Sequence, residues 1–414
     1  MQRSLSGVAV LCVLVASMVQ AQDETFYQKG YAAYQAAAQL RTDQQFDAAA
    51  EAFEAMARDF PGHDYADDAH YLGGYVYAHN LKQDDKAVAL WEAAIDKYPQ
   101  ANNTLNIMGQ LAGAYARQGD NAKAAQMYLD MADASRHTTS EENYRYSAVH
   151  QYRAGKHYDK VAEAVDAYIE HFGVEGTRGL DLLQLKVQAQ LDADDRTALA
   201  AAVKQLEEAA PESAQLGAVY YSIANAMRQQ KDFVRSTQFW IKASEITAYT
   251  NAHNALWNAA SDVVQSGDPP RYDDGIGLYR RYMEQFPKGP YRAQALLQIA
   301  DLHNRNNNAN ARIETYREYL KTFHDAAQAD WVTYQIALSM QQAKQEGFAI
   351  EAYKKLIQTY PQSQYMDEAL LNLARMLATS GFPDQARPLY MKLIKDHEGT
   401  SAADAARQSL STMR

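Results

Sequence analysis

Three histidines near the start of the chain have residue types that can bind a metal ion. His63, His70 and His79 stand close to the carboxylates of Asp67 and Asp68, and histidine with carboxylate is a common ligand set for zinc. The His-Glu-x-x-His pattern of a helical zinc site is absent. We therefore predict no metal site and interpret these residues as solvated positions at a helix start, where acidic side chains are favourable.

Two polar runs resemble parts of binding loops. Residues 192–196 resemble half of a calcium loop but lack its glycine and its terminal glutamate. Residues 304–308 are an asparagine-rich run, which is typical of a turn. The chain contains no phosphate-binding Gly-Lys-Ser/Thr loop and no Gly-x-Ser-x-Gly elbow. We predict turns at both runs, no cofactor and no catalytic residues, so the chain is not expected to be an enzyme.

A different pattern dominates the chain: an aromatic residue that ends an amphipathic run and is often followed by proline. Phe286-Pro287 and Tyr360-Pro361 are examples, and Phe323 lies midway between them at steps of 37 residues. The same template recurs from position 60 to position 397 in steps of 37 to 39 residues. A fixed period of this size is the signature of a repeat protein.

Alignment of the repeats on this aromatic hinge reveals further columns. The first is aromatic and lies seven residues before the hinge, as Phe53, Trp91, Tyr128, Trp240, Tyr279, Tyr316, Tyr353 and Tyr390. Small residues recur fourteen after the hinge, as Ala37, Gly74, Ala112, Ala224, Ser261, Ala300, Ala337 and Ala374. They also recur eleven before it, as Ala49, Ala87, Ala124, Ser236, Gly275, Ala349 and Ala386. Apolar residues within each unit have helical spacing. We predict that the small residues mark close helix contacts and that the aromatic residues fill the space between helix pairs.

These columns resemble the tetratricopeptide repeat, a helix–turn–helix unit. The resemblance implies an all-α fold, a right-handed superhelical solenoid of about ten repeats with a period near 37 residues. The extra residues fall in the loop after the hinge. That longer loop is similar to a subtype of bacterial envelope proteins: the outer-membrane assembly lipoprotein and the periplasmic coordinator associated with the Tol–Pal system. Residues 46–73 carry the best local resemblance.

The pattern weakens between residues 140 and 210, where Val165 and Val203 occupy the aromatic column. Either the repeat geometry is preserved there or the region forms an elbow. Leu183 and Val187 at inward positions indicate a tight bend or an apolar docking spot. The predicted organisation is N-terminal repeats over 22–139, a degenerate middle over 140–210, C-terminal repeats over 211–400, and a capping helix over 401–414.

Residues 1–21 have the features of a secretory signal peptide: Arg3, an apolar core and a small residue, Ala21, at the expected cleavage point. The only cysteine, Cys12, lies in that core after the bulky Leu11, so no lipid anchor is expected. The mature chain is then cysteine-free and has no later apolar run of membrane-spanning length. We expect a soluble protein in the periplasm or on the periplasmic face of the outer membrane. The formal charge of −11 disfavours nucleic acid as a partner.

In the tetratricopeptide family the first helix of each pair lines a concave groove. This resemblance implies a partner-binding surface rich in arginine and aromatic residues, the types that dominate interface hot spots. Its members are Tyr71, Tyr75, Arg117, Arg153, Tyr221, Asn225, Arg228, Asn258, Arg305, Trp331, Tyr334 and Arg375. The alternative is that polar residues only keep a wet groove soluble.

The resulting prediction is an exported, non-catalytic scaffold that binds protein or peptide segments in the cell envelope. Its role would lie in outer-membrane assembly, the cell wall or the division machinery. The second hypothesis is a structural subunit of a polysaccharide synthesis or secretion complex, with the aromatic rings stacking on a glycan. An enzyme is the third hypothesis, and no residues in the sequence support it.

Overall fold

The computed structural model describes residues 5–175, 177–324 and 326–413, with side chains from residue 23 onward except Thr177. These residues form 21 α-helices and one π-helical turn, Val76–Asn80, and they contain no β-strand. The prediction of an all-α fold is confirmed. The helices are α1 Leu5–Thr42, α2 Phe46–Asp59, α3 Ala66–Tyr75, α4 Asp84–Lys97, α5 Thr104–Gln118, α6 Asn121–Ala134, α7 Thr139–Ala154, α8 Tyr158–Phe172, α9 Thr177–Asp192, α10 Arg196–Ala209, α11 Ala214–Gln229, α12 Phe233–Glu245, α13 Ala252–Gln265, α14 Tyr272–Gln285, α15 Arg292–Arg305, α16 Ala309–Thr322, α17 Ala329–Gln342, α18 Glu346–Thr359, α19 Met366–Thr379, α20 Pro383–Asp396 and α21 Ser401–Thr412.

The chain divides into two compact units, unit 1 up to Ala209 and unit 2 from Ala210. Within each unit, consecutive helices pack against each other. The odd-numbered helices are here called first helices. Some of them also contact the next first helix: α3 touches α5 in unit 1, and α11 touches α13 in unit 2. The even-numbered helices up to α20 are the second helices. This alternation is the helix–turn–helix pattern expected from the sequence, while the repeat number and the common period stay predictions.

The aromatic and small columns form the core of both units. The side chains of Trp91, Trp240 and Tyr353 are completely buried, and so are the small residues Ala49 and Ala349. Tyr128 is the exception in the aromatic column, because it is only partly buried. The packing role predicted for these columns is therefore confirmed at most positions.

Gly74 is a member of the small column fourteen residues after the hinge, and its surroundings leave no space for a side chain. A Cβ atom added there would lie 2.2 Å from Nε1 of the completely buried Trp91, so either the indole or the backbone would have to shift. The spacing from Gly74 to Trp91 is 17 residues, whereas that from Ala224 to Trp240 is 16. The π-helical turn Val76–Asn80 lies in this interval and accommodates the additional residue, because a π-turn contains one more residue than an α-turn.

One column was misassigned by a single residue. The sequence alignment places Ser261 at the small position, but Ser261 is half-buried whereas Ala260 is completely buried. The loop between α13 and α14 spans residues 266–271, and the corresponding loop between α15 and α16 spans only residues 306–308. The additional residues of this repeat therefore lie after α13 and not before it, which shifts the register of α13.

The degenerate middle keeps its helices. Helices α7 to α10 continue the alternation within unit 1, and Val161 and Val165 are completely buried in place of the usual small and aromatic residues. Leu183 and Val187 are buried as well, so they form no exposed docking spot. Preserved repeat geometry accounts for this region within unit 1, and an elbow stays a prediction.

The first and last helices of the described residues are α1 and α21. Helix α21 packs on α19 and α20, and its Ala406 is completely buried, while its role as a capping helix stays a prediction. At the other end, α1 runs through most of the predicted signal peptide, whose first four residues and whose side chains lie outside the described residues. In the part of the chain that the structure describes, no helix has the length and apolar character of a membrane span.

Candidate functional site

The histidines of the candidate metal site are packing residues. His63 and His70 are buried, so the prediction that they are solvated is wrong. Nε2 of His63 lies 3.0 Å from the carbonyl oxygen of Tyr27 on α1, and Nδ1 of His70 lies 2.8 Å from the carbonyl oxygen of Ala66. Among the described residues, no three histidine or acidic side chains are arranged to hold a metal ion.

His70 should make unit 1 sensitive to acid. Burial lowers the pKa of His70 in the folded chain, so the unfolded chain binds the proton more readily once the pH falls below about 6.5. We expect stability to decrease from that pH downward, by at most about 1.4 kcal/mol per pH unit for this group. Urea unfolding at several pH values should show a flatter profile for His70→Asn. An unchanged profile would contradict this assignment.

The two polar runs are inter-helix turns, as predicted. Asp194 and Asn307 have positive φ angles of 55° and 53°, which is a conformation that asparagine and aspartate tolerate well. The next residues begin the following helices. Oδ1 of Asp195 accepts hydrogen bonds from the backbone of α10, and Oδ1 of Asn308 accepts one from the N–H of Ala311 on α16. Both runs therefore act as helix caps.

The first-helix face of unit 1 comprises Tyr71, Tyr75, Arg117 and Arg153. Tyr71 and Tyr75 lie on α3, and the Tyr75 ring packs on His79 at a centroid distance of 4.3 Å. Nε2 of His79 bonds Oε1 of Gln110 on α5 at 2.8 Å. Tyr75 is 37% exposed. The structure thus brings these aromatic residues together, beside the π-helical turn, in a partly open position.

The arginines of this face are held by acidic residues of other helices. Arg117 donates from Nε to Oδ2 of Asp84 at 3.0 Å and from Nη2 to the other carboxylate oxygen at 2.5 Å. Arg153 pairs with Asp192 at the end of α9 and lies over the ring of Tyr158. A bidentate carboxylate uses only part of the guanidinium, so Arg117 keeps donors that a ligand can use.

The first-helix face of unit 2 comprises Tyr221, Asn225, Arg228, Asn258, Arg305, Trp331, Tyr334 and Arg375. Its most connected member is Arg228 on α11. Arg228 donates to both oxygens of Asp262 on α13, at 3.0 Å and 2.8 Å, and to the carbonyl oxygen of Asn258 at 3.1 Å. Asp262 is 1% exposed and also accepts hydrogen bonds from Ser236 at 2.6 Å and from Trp240 at 2.9 Å. This network ties α11, α12 and α13 together.

The remaining members of the unit 2 face differ in their exposure and in how many neighbouring side chains they contact. Tyr221 packs on the buried Trp240, and the half-buried Asn225 lies on the same helix. Arg305 pairs with Asp301 of its own helix, and no other ion pair of Arg305 occurs among the residues that the structure describes. Other aromatic members pack on neighbouring rings: Trp331 contacts Tyr316, and Tyr334 stacks on Tyr365. Arg375 is exposed, and the described residues offer it no ion pair.

Sequence reasoning missed Trp257. With the corrected register of α13, Trp257 lies three residues before the small position, as Tyr221 and Tyr334 do in their helices. Its ring packs on Tyr291, the residue before α15, at 5.0 Å, just as Tyr334 stacks on Tyr365 before α19. The Ala259-Ala260 pair was the signal that identifies this register.

A second set of contacts braces the first helices of unit 1. The hydroxyl of Tyr77 donates to Glu54 at 3.0 Å, and Tyr115 makes the equivalent bond to Glu92 one repeat later. Burial and the hydrogen bond to Glu54 raise the pKa of Tyr77 to about 12. Both tyrosines therefore stay protonated hydrogen-bond donors at physiological pH. These bonds fix each first helix against the second helix before it.

The alternation of helices and the columns of the core give the described residues a tetratricopeptide-like fold. Residues 68–101 match a tetratricopeptide-repeat model. Residues 249–379 match the model of a second family, described as outer membrane lipoprotein. This second match covers α13 to α19 and does not reach Cys12 or the predicted signal peptide. No curated protein sequence matches the chain.

Several solved structures are similar to the chain at low identity. The structure of Naa15/Naa10 bound to HypK matches at 12% identity with a TM-score of 0.40, covering 92% of this chain and 66% of that chain. The P58(IPK) tetratricopeptide-repeat domain matches at 14% identity with a TM-score of 0.25, covering 93% and 100%. Yeast Tom70 matches at 12% identity with a TM-score of 0.31, covering 93% and 96%.

Proposed function

We propose that this protein is a non-catalytic scaffold that binds an extended or helical protein segment on its first-helix faces. The observation that carries the proposal is the face of unit 1. There the Tyr71, Tyr75 and His79 rings and the Arg117 guanidinium are partly exposed, while Asp84 and Gln110 hold two of them in place. Side chains fixed before binding lose less entropy on binding, which favours affinity.

The bacterial cell envelope is the proposed location. The match of residues 249–379 to a family described as outer membrane lipoprotein supports it, and so does the signal peptide predicted from residues 1–21. In that compartment the scaffold would serve outer-membrane assembly, the cell wall or the division machinery. The partner contacts would be aromatic packing and hydrogen bonds from arginine to backbone carbonyl or carboxylate groups.

Affinity capture with the purified protein tests the proposal. We expect one protein partner whose recovery falls about tenfold with the double variant Tyr75→Ala/Arg117→Gln, because hot-spot aromatic and arginine residues carry much of the binding energy. The Arg117–Asp84 pair is partly exposed, so its loss should cost about 1 kcal/mol of stability or less. Met391→Ala on α20 is the matched control, since Met391 is exposed on a second helix.

Two results would contradict the proposal. The first is equal recovery of the partner by the double variant and by the Met391→Ala control. The second is Tyr75-dependent binding to purified envelope glycans. This binding would have to persist when the lysate from which the glycans are purified is treated with protease. That outcome would favour the alternative, a structural subunit of a polysaccharide complex, in which the Tyr71 and Tyr75 rings stack on sugar.

A further inference from the structure

A groove lies on the second-helix side of unit 2, between α16 and α18. It has a volume of about 480 Å³, and its floor is formed by Thr333, Ile336 and Met340 of α17. At 100° per residue, these positions lie on the side of α17 opposite to Trp331 and Tyr334. The groove is therefore separate from the first-helix face on which the proposed function rests.

The walls of this α16–α18 groove are apolar at their base. Leu320 of α16 and Ala352 of α18 line it, and Phe348 stands at its edge with 66% of its surface exposed. A single exposed apolar residue needs no explanation, but this one adjoins an apolar floor, and such continuous patches mark interaction sites. The floor residue Met340 adapts its shape to a bound side chain more readily than a branched residue does.

The rim of the groove is basic although the whole chain has a formal charge of −11. The acidic residues nearby are already neutralised: Glu314 pairs with Arg317 at 2.6 Å, and Glu351 pairs with Lys354 at 2.8 Å. Glu318 likewise pairs with Arg280 of α14 at 2.6 Å. Lys321 and Lys355 line the groove, are exposed, and have no carboxylate partner within the described ranges.

We propose that the α16–α18 groove binds an acidic protein segment that inserts one apolar side chain beside Phe348. The apolar floor accepts the anchor, and Lys321 and Lys355 attract carboxylates on either side of it. A concave site with two unpaired lysines suits a peptide better than an anionic membrane, whose recognition relies on larger basic clusters. The inference is independent of the first-helix faces.

Selection from a library of random short peptides displayed on phage, with the full chain as bait, tests this site. We expect enrichment of peptides that carry an apolar residue flanked by Asp or Glu. A fluorescein-labelled copy of the most enriched peptide should bind about tenfold more weakly to Phe348→Ser and to Lys321→Glu/Lys355→Glu. Its affinity should also fall with added salt.

Matched controls are available on α20 and at its N-cap residue, Phe382. Phe382→Ser removes a ring that is 50% exposed outside the groove. Lys392→Glu/Lys395→Glu makes the same change in net charge as the groove variant. Neither should alter peptide binding. Thermal unfolding of each variant followed by circular dichroism verifies that it is folded. Retained partner capture through Tyr75 and Arg117 would show that loss at the groove leaves the proposed function intact.

The proposal is overturned by enrichment of neutral or basic peptides, by no enrichment, or by equal binding to the groove variants and to the controls. Two further results would contradict the proposal by showing that the groove binds something other than an acidic protein segment. Phe348-dependent sedimentation with vesicles of anionic phospholipid would assign the groove to a membrane surface. Phe348-dependent self-association in analytical ultracentrifugation would assign it to a second copy of the chain.

Discussion

Replacement of Arg228 by methionine is expected to lower the free energy of unfolding of unit 2 by about 3 kcal/mol. Methionine fills a similar volume but leaves the Asp262 carboxylate buried without its cationic partner. Among the described residues, Asp262 would keep the hydrogen bonds from Ser236 and Trp240. Removal of one member of a buried ion pair is costly because the remaining charge is neither hydrated nor neutralised.

A double variant identifies the cause. In Arg228→Met/Asp262→Asn the amide still accepts hydrogen bonds from Trp240 and Ser236, and neither of the two substituted positions carries a charge. We expect this double variant to recover most of the loss, so that the two substitutions are strongly non-additive. An equal loss in the double variant and in Arg228→Met would show that the buried charge is not the source of the instability.

Urea unfolding followed by tryptophan fluorescence measures the effect in the right part of the chain. Trp240, Trp257 and Trp331 lie in unit 2, whereas unit 1 contains only Trp91. Arg305→Met is the matched control, because Arg305 pairs with Asp301 on an exposed surface, and such pairs contribute at most about 1 kcal/mol. Hydrogen exchange should show the loss of protection in α11, α12 and α13.

This prediction also bears on the choice of binding variants. The sequence places Arg228 on the partner-binding surface because arginine is common in hot spots. In unit 2, however, the main role of Arg228 is to hold α11 against α13 through Asp262. A charge reversal at Arg228 would damage the fold and the face together. Arg375 and Tyr75, which are exposed, are better probes of binding.

The sequence predicts the core of this fold well, because each repeat packs its two helices with the same kinds of residue. An aromatic residue and two small residues recur at fixed offsets, and their burial follows from the helical geometry. The histidines were misjudged for the opposite reason. His63 is covered by Phe26 and Tyr27 of α1, and the sequence does not reveal that those rings lie against it.

The partners of the arginines could not be predicted either. Arg117 and Asp84, like Arg228 and Asp262, are more than thirty residues apart and belong to different helices. The sequence alone shows a row of arginines on the first-helix faces, whereas in the structure carboxylates neutralise part of that positive charge. The register of α13 shows a second limit: a sequence period counts residues but does not say whether an extra residue enters a loop, as near residue 266, or a helix, as at the π-helical turn.

Substitution of Gly74 by alanine is expected to destabilise unit 1 by about 1 to 3 kcal/mol, because the new methyl group would overlap the indole of Trp91. Trp91→Phe should be destabilising as well, since it leaves a cavity and removes the hydrogen bond from Nε1 to the carbonyl oxygen of Tyr71, 3.2 Å away. Combined, the two substitutions compensate each other in volume, because Gly74→Ala adds a methyl group where Trp91→Phe removes part of the indole.

The double variant Gly74→Ala/Trp91→Phe is therefore expected to be more stable than the sum of the single effects predicts. The chain already contains this combination, because Ala37 and Phe53 occupy the same two columns one repeat earlier and are both completely buried. Hydrogen exchange of α3 and α4 is the suitable measurement, since Trp91→Phe removes the tryptophan of unit 1. Additive losses would contradict the proposed contact.

Gly109→Ala is the matched control in the same unit. Its methyl group would lie 3.6 Å from Met131, which is an ordinary contact, and alanine favours the helix by up to about 1 kcal/mol. We expect no loss of stability there. Because Trp91 holds the backbone of Tyr71, Gly74→Ala should also weaken partner capture through Tyr75 without altering any residue of the face, whereas Gly109→Ala should leave capture unchanged. Equal capture by both variants would mean that the core column does not position the binding surface.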